Sequence, residues 1–139
     1  MTAMRGAATY GRGAGAYAKV GVESGVMSAS SHQLIVMLFD GARTAMRAAR
    51  IHMNEGHVAE KGASISKALD IVNNGLLAAL DGERGGEVAG NLASLYEYIA
   101  RRLLAANARN DVEALDEAER LLDDIASAWR DIEPQVAGT

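Results

Sequence analysis

The sequence predicts an all-α protein, an antiparallel four-helix bundle with a flexible N-terminal arm packed on it. Three observations carry that prediction. First, 27 of the 139 residues are alanine, the best helix former, whereas six are aromatic and one is proline. Second, apolar residues recur at alternating steps of three and four through four stretches of the chain. Third, short links rich in glycine, aspartate or asparagine join those stretches, which favours antiparallel neighbours. The length suits one domain and suffices to bury a core. Without cysteine, disulfide frameworks, thiolate catalysis and cysteine-ligated metals are excluded.

Residues 1–29 read as an arm. Gly6, Gly11, Gly13, Gly15, Gly21 and Gly25 discourage a stable helix, so residues 1–15 are expected to be a disordered extension. Residues 16–29 carry Tyr17, Val20, Val22, Val26 and Met27, enough apolar surface to dock on the body. The bundle is placed at 30–132, with a tail at 133–139.

The first helix starts at a capping box, Ser30 with Gln33, and is expected to run to about Asn54 before Gly56 stops it. The second spans roughly His57 to Leu80 and ends at Asp81-Gly82, with a stripe of Val58, Ile65, Leu69, Val72, Leu76 and Leu80. After Gly85-Gly86 the third runs from about Glu87 to Ala108, with Val88, Leu92, Leu95, Ile99, Leu103 and Ala106 on one face. Asn110 with Glu113 is read as the start of the fourth, which lasts to about Ile132 and is closed by Pro134. Its stripe is Leu115, Ala118, Leu122, Ile125, Trp129 and Ile132, and Trp129 is expected to anchor it in the core.

The first helix carries more apolar surface than one core requires. Leu34, Leu38, Ala45 and Ala49 form one stripe. Ile35, Phe39, Ala42, Met46 and Met53 form a second, about 100° around the cylinder. Ile71, Leu77 and Leu104 also lie off the main stripes of their helices. Either the bundle wraps its first helix with the arm as cover, or the surplus is a groove for a partner's apolar residues. Gly41, beside Leu34 and Leu38, is expected to permit a close helix approach.

The residue patterns that carry catalysis or metal binding are not evident in the sequence. Glu-x-x-His pairs of the di-iron type are absent, because Ala29, Ala49 and Asn54 stand three before His32, His52 and His57. His52 and His57 lie five apart across a helix end, poor spacing for a metal, so each histidine is read as packed or solvated. No Ser-His-Asp order or phosphate loop is found, and no cofactor is expected. Glu117, Glu119, Asp123 and Asp124 are read as a solvated face. A net charge of −4 speaks against nucleic acid. The longest apolar run, Leu34–Phe39, is too short for a membrane span, and no secretory h-region follows Arg5 or Arg12, so the cytoplasm is expected. Two alternatives to a binding function are a purely structural, self-associating bundle and a phosphotransfer bundle using His57 with Lys61 and Gly62.

Several segments together resemble the FliS family of flagellin export chaperones. They include Ala16-Tyr17-Ala18-Lys19-Val20, Val22-Glu23-Ser24 and Ser30-Ser31-His32-Gln33-Leu34. Further on come Met37-Leu38-Phe39-Asp40-Gly41-Ala42, Gly86-Glu87-Val88-Ala89, Leu95-Tyr96-Glu97-Tyr98-Ile99 and Asn110-Asp111, and Trp129 falls where the family places its tryptophan. The match covers about residues 16–132 in one register. One departure is Ser31, where many members have proline; this affects helix initiation rather than function.

The resemblance implies a cytosolic bundle without enzymatic activity. It would bind the disordered C-terminal segment of flagellin, prevent premature polymerisation and deliver the subunit to the type III export gate. Implied partners are flagellin, the export-gate protein FlhA through the loaded complex, and the anti-sigma factor FlgM. The family's arm lies over the binding surface when client is absent, and Tyr17 is the matching position. The expected client surface comprises Tyr17, Val20 and Val22 from the arm with Ile35, Leu38, Phe39, Ala42, Met46, Ile71 and Tyr96. Methionines at Met37, Met46 and Met53 would let it adapt. Arg101 and Arg102 are left to pair with Glu97 or Asp111, or to meet client carboxylates.

Overall fold

Two of the helix starts are capped by a side chain, and two of the helix ends turn on a left-handed residue. The computed structural model describes residues 30–80 and 86–132; the expectations for the arm, the tail and the closing Pro134 lie outside them. Helix α1, Ser31–Asn54, opens on the expected capping box. The Ser30 hydroxyl accepts from the Gln33 N–H and the Gln33 side chain accepts from the Ser30 N–H, both at 3.1 Å. It closes at Gly56, whose φ of 76° is the left-handed conformation that glycine adopts at no steric cost.

Helix α2, Val58–Asp70, passes without a break into a π-helical segment, Ile71–Leu77. A single regular helix was expected here. The wider π turn rotates the chain relative to a 3.6-residue period, and Ile71, Val72, Gly75 and Leu76 are all buried in it. Ile71, whose own backbone is still α-helical at φ −65° and ψ −42°, is in the core although it lies off the α-helical stripe.

Helix α3, Glu87–Arg109, ends at Asn110, which adopts the left-handed conformation at φ 53° that asparagine tolerates better than most residues. The next residue, Asp111, starts helix α4, Val112–Arg130; its carboxylate accepts from the Glu113 and Ala114 N–H groups at 3.0 and 3.1 Å. The N-cap is therefore Asp111, one residue later than expected, because Asn110 is already committed to closing α3. Lys61, buried near the start of α2, secures the same corner by donating to the Asn107 carbonyl at 3.0 Å and to Asn110 Oδ1 at 3.1 Å.

The helices pack around a square: α1 on α2 and α4, α3 on α2 and α4, with no close backbone approach between the diagonal pairs among the described residues. Cross-helix bonds fix the directions as antiparallel. Lys61 at the start of α2 meets Asn107 at the end of α3, and His32 at the start of α1 meets Trp129 at the end of α4. The core runs through Phe39, Met46, Ile65, Val72, Leu76, Ile99, Leu103, Leu115 and Leu122, all essentially inaccessible to water. Alanines at 42, 45, 49, 68, 106, 114, 118 and 126 complete it and keep the helices close. None of the helices among the described residues is long and apolar enough to cross a membrane.

Candidate functional site

The two apolar stripes of α1 converge on one interior. Leu38, Phe39, Ala42, Met46, Ile71 and Tyr96 all belong to the same buried cluster, and Ile35 packs against it half-buried. The expected residues are thus brought together, but as core: in this conformation Phe39, Ala42, Met46, Ile71 and Tyr96 do not line an open groove. Gly41 leaves room for Ile71, since a Cβ on Gly41 would sit 3.3 Å from Ile71 Cδ1. Burial also pushes the Tyr96 phenol well above its ordinary pKa. Tyr17, Val20 and Val22 lie outside the described residues.

The apolar surface that does reach solvent gathers differently. Antiparallel packing puts the start of α1, the π segment, the start of α3 and the end of α4 at one end of the bundle. There Ile35, Leu77, Leu80, Leu92, Ile125 and Trp129 pack on the core but are only half-buried. On α3, Val88 is 65% and Leu95 39% exposed, on the same stripe as the buried Ile99 and Leu103. The stripe therefore runs out of the core onto the surface. Met37 and Ile132 are exposed at this end as well. At the opposite end Ile51 and Leu104 are exposed but lie off the buried stripes, and Val58 and Val112 stand at helix starts. Ordinary helical periodicity could reveal the α3 stripe, but not which part of it remains uncovered.

Histidine and tryptophan close the end that carries the exposed stripe. The Trp129 indole N–H donates to the His32 carbonyl at 3.1 Å, and His32 Nε2 lies 2.8 Å from the Trp129 carbonyl. That acceptor requires the proton on Nε2. The two rings stack with centroids 5.1 Å apart. Trp129 thus clasps α4 to α1 at the core's edge, half-buried rather than sunk in its centre.

The acidic face of α4 is engaged rather than simply solvated. Asp123 pairs with Arg43 at 2.5 Å, Asp116 with Arg50 at 2.9 Å, and the buried Glu119 with Arg47 at 3.2 Å and also with Arg50. Asp40 answers from α1, accepting from Arg130 at 2.6 Å. On the other flank Glu117 accepts from Tyr98 Oη at 2.8 Å and pairs with Arg102 at 2.7 Å. The Tyr98 hydrogen bond, more than the guanidinium, holds the Glu117 carboxyl below its ordinary value, while donating that bond raises the phenol of Tyr98. Arg101 lies 5.7 Å from the Tyr98 ring centroid. Among the described residues neither arginine is paired with Glu97 or Asp111.

The phosphotransfer constellation does not assemble. Lys61 is buried and occupied at the α3–α4 corner, while His57 Nδ1 faces the Glu55 carboxylate at 3.2 Å, a neighbour that repels phosphate. His52, Glu55 and His57 do come together, contrary to the expectation from their spacing, and each offers a ligand atom within 4.8 Å of the others.

Fold and surface define the class first: a small antiparallel four-helix bundle whose core stripe emerges at one end. Comparison with known proteins then supplies the family. Residues 13–136 match the family model described as flagellar protein FliS. The flagellar secretion chaperone FliS of Salmonella typhimurium is 57% identical over 122 residues, covering 88% of this chain and 90% of the relative. Its Escherichia coli namesake is 50% identical over 120 residues, covering 86% and 88%. The flagellar secretion chaperone FliSB of Pseudomonas aeruginosa is 45% identical over 113 residues, covering 81% and 89%. The chain belongs to the FliS family of flagellar secretion chaperones.

Proposed function

We propose that the protein is a non-enzymatic cytoplasmic export chaperone that binds the disordered C-terminal segment of flagellin. The observation that carries this reading, beside family membership, is the α3 stripe that leaves the core at Leu95 and Val88 next to half-buried Leu92. A disordered client loses conformational entropy on docking and needs an extended apolar surface in return. A client helix offering apolar residues at helical spacing would continue the core there. Ile35 packs half-buried on the core cluster that holds Leu38, Phe39, Ala42, Met46, Ile71 and Tyr96.

Masking the polymerising segment keeps flagellin soluble until delivery to the type III export gate through FlhA, with FlgM as a second partner. The arm, through Tyr17, Val20 and Val22, acts as a reversible cover. Limited proteolysis at residues 10–27 should change on client loading; an unchanged pattern would count against a moving cover. The client itself is tested by calorimetric titration with the C-terminal flagellin peptide of the same organism. One-to-one binding with a negative heat-capacity change is expected. Silence from a folded protein would remove flagellin as client.

A further inference from the structure

The turn between α1 and α2 holds a group of side chains that lies apart from the proposed client surface. Its backbone forms a Schellman arrangement: the Gly56 N–H donates to the Met53 carbonyl at 3.2 Å, and the His57 N–H reaches back to the His52 carbonyl at 2.9 Å. With Gly56 left-handed, the chain doubles back and residues five apart become neighbours. In a continuous α-helix the same spacing would put them about 140° apart. Here both neighbours are histidines, with ring centroids 5.9 Å apart, and Glu55 stands between them in sequence.

We propose that this turn binds a zinc-type divalent cation through His52, Glu55 and His57. Two imidazoles and a carboxylate form a donor set that suits zinc and disfavours magnesium or calcium, which take oxygen ligands. Tetrahedral zinc with bonds of about 2.1 Å brings its ligand atoms to about 3.4 Å from one another. The three ligand atoms already lie within 4.8 Å. Closing the rest needs only side-chain rotation, and the Glu55 and His57 side chains are more than half exposed and able to move. His52 is the fixed member. It is half-buried, and its Nδ1 is shielded from water without a hydrogen-bond partner, so no bond at that nitrogen ties the ring elsewhere. Three protein ligands leave the fourth position for water.

A bound ion would pin the end of α1 to the start of α2, where this motif ordinarily places a hydrophobic contact. It lies at the opposite end of the bundle from the proposed client surface, so either reading can fail without the other.

The test is a titration of the tag-free full-length chain with zinc chloride, followed by calorimetry and by the imidazole resonances of the three histidines. The expected result is one equivalent bound, with the His52 and His57 resonances shifting together and that of His32 unmoved. Binding should also raise the unfolding temperature as zinc increases. His52→Gln and His57→Gln should each weaken binding at least about tenfold, since even outer-shell partners are worth that much; Glu60→Gln should leave it intact. If either histidine variant fails to fold, the resonances of the unmodified chain decide alone. No saturable binding at millimolar zinc, a shift confined to His32, or full affinity in both histidine variants would overturn the site.

Discussion

Truncating Met46 separates a core role from a surface role. Met46 is fully buried, and its neighbours on the same face of α1 are Ala42, Ala45 and Ala49. Alanines hold the helices close, so much of the wall around a truncated Met46 is backbone, which collapses poorly into a void. Met→Ala in a core costs about 2–5 kcal/mol, and a wall of this kind puts Met46→Ala at about 3–4 kcal/mol. Against a total of about 5–15 kcal/mol for a typical domain, the variant should fold with a narrow margin. With a urea slope of about 2 kcal/mol/M, the midpoint followed by circular dichroism should fall by about 1.5–2 M. Met37→Ala, at an exposed position of the same helix, should stay within about 0.5 kcal/mol. A loss below about 1 kcal/mol at Met46, coupled to a large loss of client affinity, would refute its placement in the core.

Three further outcomes follow from the helix ends and flanks. Trp129→Phe keeps an aromatic ring near His32 but deletes the indole N–H, so it should cost about 1 kcal/mol in chemical denaturation. Asn110→Ala both forces alanine into a left-handed conformation and removes an acceptor from Lys61, whereas Asn110→Gly removes only the acceptor; the alanine variant should be the less stable by about 1 kcal/mol in urea titration. The Glu117 carboxyl is held below its ordinary 4.5, so its contribution is complete above that pH and drains away as pH falls through its folded-state value. The stability gap between the natural chain and Glu117→Gln, read as urea midpoints, should therefore narrow on acidification.

Helix ends were the most legible part of the sequence, because caps are local. Ser30 with Gln33 and the stop at Gly56 are read directly from neighbouring residues. Asn110 and Asp111 show the limit of such reading: both residue types cap helices, and only the left-handed backbone at Asn110 assigns it to the end of α3. The stripes located much of the core, including Ile65, Leu103 and Leu122, but assumed one turn width throughout. The π segment breaks that assumption, and Ile71, off the stripe, is nonetheless buried beside Gly41. Tyr96 was also set on the client surface, although it packs in the core beside the Ile99 stripe. The α1–α4 ion pairs were illegible for another reason: Arg43 and Asp123 are 80 positions apart, and no single-helix pattern pairs them. The same applies to the clasp of His32 and Trp129.

The surface proposed for client is where the α3 stripe leaves the core. The most direct test compares the dissociation constant of the flagellin C-terminal peptide for Leu95→Asp and Ile51→Asp, two exposed positions at opposite ends of the bundle. Docking at the α3 stripe predicts that Leu95→Asp weakens binding by about tenfold or more, about 1.4 kcal/mol, while Ile51→Asp leaves it unchanged. Equal effects, or a loss confined to Ile51→Asp, would contradict it.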